Sequence, residues 1–217
     1  MKSPARLLRV GGLTPMTTID YPGELSAVIF CQGCPWRCRY CHNGHLLPAT
    51  RGGLMAWGQV VGFLERRRGL LDAVVFSGGE PTLQSALPAA VTQVRSLGFK
   101  VGLHTAGPYP DRLRALLPHL DWVGLDIKAL PHDYPDITGV PGSGDKAWES
   151  LRLLRNAGVA LEVRTTLMPD WERDGRVQAL VRRLRAVGIE DWVPQRCRTG
   201  STLAPPGNRD PEQRRPP

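Results

Sequence analysis

Three cysteines lie in one short segment, Gly33-Cys34-Pro35-Trp36-Arg37-Cys38-Arg39-Tyr40-Cys41-His42-Asn43, with the spacing C-x3-C-x2-C and an aromatic residue directly before the third. Iron–sulfur clusters are held by cysteine thiolates, and three thiolates this close in sequence can take three irons of a [4Fe–4S] cluster. The fourth iron is then left without a protein ligand. An iron with an open position can bind a substrate or cofactor, so the spacing points to chemistry at the cluster rather than to electron storage alone.

Zinc is the competing reading. Cys31, Cys34, Cys38 and Cys41 form two C-x2-C pairs, the donor set of a tetrahedral structural site. Zinc ribbons, however, separate their pairs by a longer loop, and zinc gives no reason for the Gly-Gly-Glu described below. Cys31 reads as a small buried hydrophobe, and Cys197 as incidental.

These residues must be positioned by the elements around them. Short apolar runs rich in β-formers recur at 26–30, 72–76, 100–104, 122–127, 161–166 and, more weakly, 191–194. Helical patterns fall between them, at about 55–68, 82–97, 110–118, 145–156 and 174–187. Gly98, Gly158 and Gly188 each precede an apolar residue where a helix hands over to a strand. Repeated strand–helix units imply a parallel sheet with right-handed crossovers. Six units are too few for a closed eight-stranded barrel. The expected fold is α/β: a partial, open (β/α)6 barrel with parallel strands and the cluster loop directly after the first of them. In such folds the chemistry gathers at the C-terminal strand ends.

The strand ends agree with that rule. The cysteine loop follows the first strand, and the second ends in Ser77-Gly78-Gly79-Glu80-Pro81. The glycines there permit close backbone approach to a ligand, and Glu80 adds an anionic acceptor. The third strand runs into His104-Thr105-Ala106-Gly107. The fourth ends in Asp126-Ile127-Lys128, which puts an acid and a base on one face. The fifth carries Arg164, Thr165 and Thr166. Arg164 is read either as a site residue or as the ion-pair partner of Glu162 or of an acid on a neighbouring strand. His42 and His104 are either site residues or satisfied core histidines. Trp36 shields the cluster or anchors its loop.

Composition narrows the class. The chain has 217 residues, five cysteines, 41% hydrophobic residues and a net charge of +8. Four cysteines within eleven residues are not a secreted disulfide framework. No apolar run approaches the ~18 residues of a membrane span, and the basic N-terminus lacks a signal-peptide core. The expectation is a soluble, cytoplasmic protein without a membrane partner. Arg173, Arg176, Arg182, Arg183 and Arg185 supply much of the positive excess. They read as a solvated helix face, with nucleic acid not expected as a partner; a basic surface can also dock an acidic redox protein. Residues 201–217, rich in Pro, Gly and Arg, are expected to be a disordered tail behind a single domain over 1–200.

The cysteine loop followed by Gly-Gly-Glu after the next strand resembles the radical S-adenosylmethionine (SAM) superfamily. Within it, Cys41-His42-Asn43, Ser77 to Pro81 and Asp126-Ile127-Lys128 resemble the glycyl-radical-enzyme activating proteins. Residues 11–23 (Gly-Gly-Leu-Thr-Pro-Met-Thr-Thr-Ile-Asp-Tyr-Pro-Gly) and Leu103 to Gly107 are most similar to the activating proteins of anaerobic ribonucleoside-triphosphate reductase. The resemblance implies that Cys34, Cys38 and Cys41 ligate a [4Fe–4S] cluster and that the SAM amino and carboxylate groups chelate its open iron. Gly78, Gly79 and Glu80 would receive the amino group, and Tyr40 and Asn43 would frame the adenosyl part. Asp126 and Lys128 would lie near the sulfonium and the carboxylate, and Thr105 and Arg164 complete the cofactor set. No residue is assigned a catalytic role of its own. One electron, delivered by reduced flavodoxin or ferredoxin, would cleave the S–C5′ bond, and the resulting radical would take a hydrogen atom from a backbone glycine of the partner enzyme.

One departure stands out. The related pyruvate formate-lyase activating enzymes have Asp-Thr-Asn-Gly at the third strand end, where the Asp helps bind a monovalent cation. Here the residue is His104, a poor ligand for a hard cation, and the cation site is not carried over. Three alternatives stay open: an activase for pyruvate formate-lyase, a small-molecule enzyme like the 7-carboxy-7-deazaguanine synthases, or a zinc- or cluster-binding interaction module.

Overall fold

The computed structural model describes residues 4–50, 52–168, 171 and 174–197. The expected tail over 201–217 and Arg173 of the basic group lie outside them. The strands are β1 (Val10–Thr17), β2 (Ser26–Cys31), β3 (Ala73–Gly78), β4 (Lys100–Thr105), β5 (Trp122–Asp126), β6 (Ala160–Leu167) and β7 (Trp192–Arg196). The helices are α1 (Trp57–Glu65), α2 (Leu87–Ser96), α3 (Pro110–Leu116), α4 (Tyr134–Thr138), α5 (Ser143–Ala157) and α6 (Arg176–Ala186). The strands lie side by side in chain order in one seven-stranded sheet. Strands β2 to β7 run parallel, and β1 pairs antiparallel with β2 at one edge. Among the described residues the sheet does not close, since β7 pairs with β6 and not with β1. This is the open partial barrel expected of the six strand–helix units, with one antiparallel strand added.

Period-2 alternation sorts the strand residues between two faces. Ile29, Val74, Phe76, Leu103, Val123, Leu125 and Val163 point outward and pack under the helices with Val60, Leu64, Val91, Leu113, Leu151, Leu154 and Leu184. Phe76 and Ile29 are fully buried there, each side chain contributing about 1.5–3 kcal/mol. The alternate residues face the concave side. At its lower end Tyr21, Val28, Ala73, Val75 and Trp122 form a second, smaller core, with Tyr21 stacked on Trp122 at 5.1 Å between ring centroids. Gly102 makes room for this plug, because a Cβ at that position would lie 3.0 Å from the Tyr21 ring and 3.1 Å from Val75.

Local details depart from the sequence reading where side chains intervene. The stretch 82–97 is not one helix. Pro81–Leu83 is a separate 3-10 turn, and α2 starts at Leu87 with Pro88 in its first turn, where a missing N–H breaks no helical bond. Helix α1 stops at Glu65, short of the expected 68. Gly98, Gly158 and Gly188 all take positive φ, at 95°, 71° and 77°, as helix-ending glycines should. At the open edge, the Cys197 N–H donates to the Leu167 carbonyl. By alternation Pro194 then faces away from β6, so its missing N–H costs the ladder nothing and blunts the edge against further pairing. Among the described residues, no helix is long and apolar enough to cross a membrane.

Candidate functional site

The concave face becomes polar toward the C-terminal strand ends. A cavity of about 250 Å³ opens there, lined among others by Cys34, Cys38, Cys41, Gly78, Asp126 and Arg164. Tyr40, Asn43, Gly79, Thr105 and Lys128 also border it. Eleven strand-end and loop residues chosen from sequence therefore meet on one cavity. Glu80 does not.

The cysteine loop is held by a dense set of backbone bonds. Gly33 N donates to Leu46 O at 2.7 Å, Cys34 N to Leu47 O at 3.2 Å and Cys41 N to Cys38 O at 2.9 Å. Two buried glutamines clamp its base. Gln32 donates to the carbonyls of His45 and Pro48, and Gln84 donates to those of Arg9 and Gln32. Arg37 N and Arg39 N donate to Thr138 O and Ile137 O, which ties the loop's outer limb to α4.

Gly78 and Gly79 serve this loop. Gly78 has φ +113°, and a Cβ on it would fall 2.5 Å from Cys31 N. A Cβ on Gly79 would fall 2.3 Å from Gly33 O. The Gly79 and Glu80 amides donate to Cys31 O and Gly33 O. The close approach that these glycines permit is thus first to the chain's own cluster loop. The Gly78 carbonyl also accepts from the Asn43 amide at 3.4 Å.

Glu80 sits behind the lining of the cavity. Its carboxylate is 1% exposed and accepts from Thr82 N at 3.0 Å, the Thr82 hydroxyl, the Thr105 hydroxyl at 2.8 Å and Ala106 N at 3.0 Å. Burial raises its pKa against the pull of these four donors. The carboxylate therefore braces the end of β3 against the end of β4, behind the residues that line the cavity. Thr105 shares in the brace, since its hydroxyl also accepts from Gly107 N at 3.0 Å.

Asp126 is the centre of the charged wall. Its carboxylate lies 3.5 Å from Arg164 Nε and 3.8 Å from Lys128 Nζ. Arg164 also approaches Glu162 at 3.8 Å, so both ion-pair partners weighed from sequence are present. Among the described residues the Arg164 Nε finds no hydrogen-bond partner although it is buried. Gly124 leaves the space for this side chain, because a Cβ there would meet Arg164 at 2.8 Å. Lys128 is 7% exposed and reaches over the Tyr40 ring at 5.5 Å. Burial opposes its charge, but Tyr40, Cys38 and Asp126 more than offset this and hold its pKa well above the ordinary lysine value.

His42, His104, Ser77, Ala106, Thr166, Gln195, Leu47 and Trp36 complete the lining. His104 Nε2 lies 2.8 Å from the Asp20 carbonyl, which can only accept. The proton is therefore on Nε2, and Nδ1 accepts from the Ser77 hydroxyl at 3.3 Å. Burial, reinforced by the Arg164 charge, lowers the His104 pKa to about 4. The ring is neutral and occupied on both sides, so it serves as a satisfied structural group at the wall. Gln195 was not singled out from sequence, and Thr166 was named at its strand end without a role. Thr166 lies two residues from Arg164 on the same strand face.

The residues fit the cluster that the cysteine loop implies. Burial pushes the Cys34 thiol up to about 12, with Glu80 adding to the effect, and raises Cys38 as well. Thiols so placed stay protonated unless a metal replaces the proton. A [4Fe–4S] cluster asks for each thiolate to meet its own iron, and the three thiols border one cavity. The unbonded Arg164 Nε and the charged Lys128 offer cations to an anionic ligand beside it.

Comparison with known proteins identifies the family. The Radical SAM superfamily matches over residues 28–193. A protein of Methanocaldococcus jannaschii named as a glycyl-radical enzyme activating enzyme is 32% identical over 169 residues, covering 74% of this chain and 68% of its own length. The pyruvate formate-lyase-activating enzyme of Clostridium pasteurianum is 31% identical over 197 residues, covering 86% and 81%. Among solved structures, anSMEcpe with bound AdoMet superimposes with a TM-score of 0.64 at 17% identity, over 77% of this chain and 48% of that one. Streptococcus suis SuiB gives 0.62 at 16% identity, over 79% and 40%. The chain thus spans less than half the length of these two structures, which share its fold. Proteins of the matched superfamily use a [4Fe–4S] cluster and SAM. The chain is an enzyme that belongs to the radical SAM superfamily and, within it, to the glycyl-radical-enzyme activating family.

Proposed function

We propose that the chain generates a glycyl radical on a partner enzyme, and that anaerobic ribonucleoside-triphosphate reductase is that partner. The observation that carries the activity is the shared cavity. Cys34, Cys38 and Cys41 border the same space as Gly78, Asp126, Lys128 and Arg164. Bound there, the cluster and SAM would supply one-electron cleavage of the S–C5′ bond and a hydrogen-atom abstraction.

The chain's own residues hold and orient. The three thiolates anchor the cluster. The backbone at Gly78 and Gly79 receives the SAM amino group. Lys128 and Arg164 present positive charge to the carboxylate, and Asp126 presents negative charge to the sulfonium. Tyr40 and Asn43 bound the adenosyl region. Trp36, 3% exposed, screens the cluster side from water.

The reductase reading rests on residues 11–23 and 103–107. The second reading, pyruvate formate-lyase, is favoured by the names of relatives from Clostridium pasteurianum and Escherichia coli. His104 weighs against it, because a neutral ring bonded to Ser77 and to the Asp20 carbonyl offers no oxygen to a cation.

The test is direct. Reconstituted protein with dithionite and SAM should yield 5′-deoxyadenosine, and Cys34→Ala should abolish it. Added reductase should then show a glycyl-radical signal in electron paramagnetic resonance, and pyruvate formate-lyase none. Full turnover by the Cys34→Ala protein would sink the activity. A signal on the lyase alone would reassign the partner.

A further inference from the structure

The turn after β5 carries Lys128, and its amide is met by a side chain rather than by a strand. Ile127 N donates to Arg164 O at 2.9 Å, and Ile127 O accepts from the Thr165 hydroxyl at 2.6 Å, so residue 127 is fastened to β6. By alternation the Lys128 amide turns to the other side, where β4 has already ended at Thr105. There it donates to the Tyr134 hydroxyl at 2.8 Å. The next residue is held as well, since Ala129 O accepts from Trp148 Nε1 at 3.0 Å.

Tyr134 is fully buried, and burial raises its pKa, so it stays a neutral phenol with lone pairs to offer. Its ring meets the Trp36 ring edge-on at 5.9 Å, and Trp36 sits between Cys34 and Cys38 in the cysteine loop. Helix α4, which Tyr134 opens, takes two further bonds from that loop: Arg37 N to Thr138 O at 2.9 Å and Arg39 N to Ile137 O at 3.0 Å. The Thr138 hydroxyl donates back to Tyr134 O at 2.9 Å. One residue thus touches both the loop that carries the cysteines and the turn that carries the buried lysine. It stands behind the cavity, whose lining includes Trp36 and Lys128.

We propose that Tyr134 is a positioning residue for the SAM carboxylate, acting through Lys128. The inference rests on the reading of the cavity given above, in which the carboxylate reaches both the open iron and the lysine. A ligand that spans the two needs a fixed spacing between the cysteine loop and Lys128. The sheet sets that spacing only indirectly, because the loop follows β2 and the lysine follows β5, with β3 and β4 between them. Tyr134 ties the two directly. Its ring bears on the loop, and its hydroxyl fixes the backbone from which the lysine side chain leaves. The contacts of the ammonium to Asp126 and to the Tyr40 ring are long, at 3.8 and 5.5 Å, so its aim depends on where that backbone sits. A packing role alone needs only the Tyr134 ring. The bond from the Lys128 amide needs the hydroxyl, and Tyr134→Phe separates the two.

The experiment uses reconstituted protein without reductant and measures binding of SAM and of decarboxylated SAM by equilibrium dialysis. Tyr134→Phe should keep the wild-type iron content, because the ring stays against Trp36, and should weaken SAM binding about tenfold. Decarboxylated SAM, which keeps the sulfonium and the amino group, should bind the variant as it binds the wild type. In a Lys128→Gln background the same substitution should bring no further loss of SAM affinity, because the two residues act in series. Unchanged SAM affinity in Tyr134→Phe overturns the proposal. So does an equal loss for both ligands, an additive loss on top of Lys128→Gln, or a loss of iron, each of which makes the hydroxyl a support of the fold alone. Failure of the iron-loaded wild-type protein to bind SAM at all would instead overturn the reading of the cavity.

Discussion

Glu80 and Asp126 stand at equivalent places, each at the C-terminal end of an inner strand, and they do opposite work. Glu80 is 1% exposed and surrounded by neutral donors from Thr82, Thr105 and Ala106. Asp126 has a side chain 40% exposed, with Arg164 and Lys128 at 3.5 and 3.8 Å. The first acid joins two strand ends, with Oε1 accepting from Thr82 and Thr105 and Oε2 from Ala106. The second stands at the cavity with charges that a ligand can share. A strand-end carboxylate is thus assigned by its partners, whatever motif contains it.

The largest effect should come from removing the brace. Glu80→Ala leaves the buried Thr82 amide, the half-buried Ala106 amide and two buried hydroxyls without their acceptor, at a cost of about 3–5 kcal/mol. A domain of this size should then melt roughly 10 °C lower, and iron incorporation should fall, because Glu80 N and Gly79 N also fasten the cluster loop. Asp126→Ala should leave the melting temperature within a few degrees. Calorimetry on both proteins checks the contrast, and equal destabilisation would erase it.

A third group on the same face, His104, sharpens the comparison through pH. An unfolded histidine titrates near 6.5, and burial with the Arg164 charge lowers the folded value to about 4. As pH falls, the unfolded chain takes its proton first. This contribution is therefore complete above about pH 6.5 and is lost progressively toward pH 4, by up to about 3 kcal/mol. Glu80 has the opposite sign. Its folded pKa is raised, so acid relieves the buried carboxylate and favours the native state. Denaturant titrations at pH 7 and pH 5 should show wild type losing more stability than His104→Gln. Parallel losses would place the acid sensitivity elsewhere.

Legibility in the sequence divides along the same line. The six parallel strands and the cluster loop were readable because β-rich runs and cysteine spacing are local signals. Strand β1 was not, because Gly11, Gly12 and Pro15 lower its strand propensity. It forms at an edge, and a Cβ on Gly11 would fall 2.3 Å from the Leu46 side chain. The brace at Glu80 depends on Thr105, twenty-five positions away. The His104 tautomer depends on Asp20, eighty-four positions away. No pattern within either segment announces such a pair. The motif named the right turn at Gly78 to Glu80, while only tertiary structure showed that its acid faces inward.

The smallest effect tests whether Asp126 has charge to lend. Two cations already flank it, and if they neutralise it fully the residue is an ion-pair anchor and nothing more. If it faces the sulfonium, Asp126→Asn should weaken SAM binding about tenfold, which is about 1.4 kcal/mol. The melting temperature should hardly change, because the amide keeps the shape and the site is partly open to water. The same substitution leaves Lys128 and Arg164 less compensated, so binding of S-adenosylhomocysteine, which lacks the sulfonium charge, is the necessary control. Its affinity should change less than that of SAM. Equal changes for the two ligands would mean that Asp126 acts only by holding Arg164 and Lys128 in place, and the difference between the two strand-end acids would then be one of exposure alone.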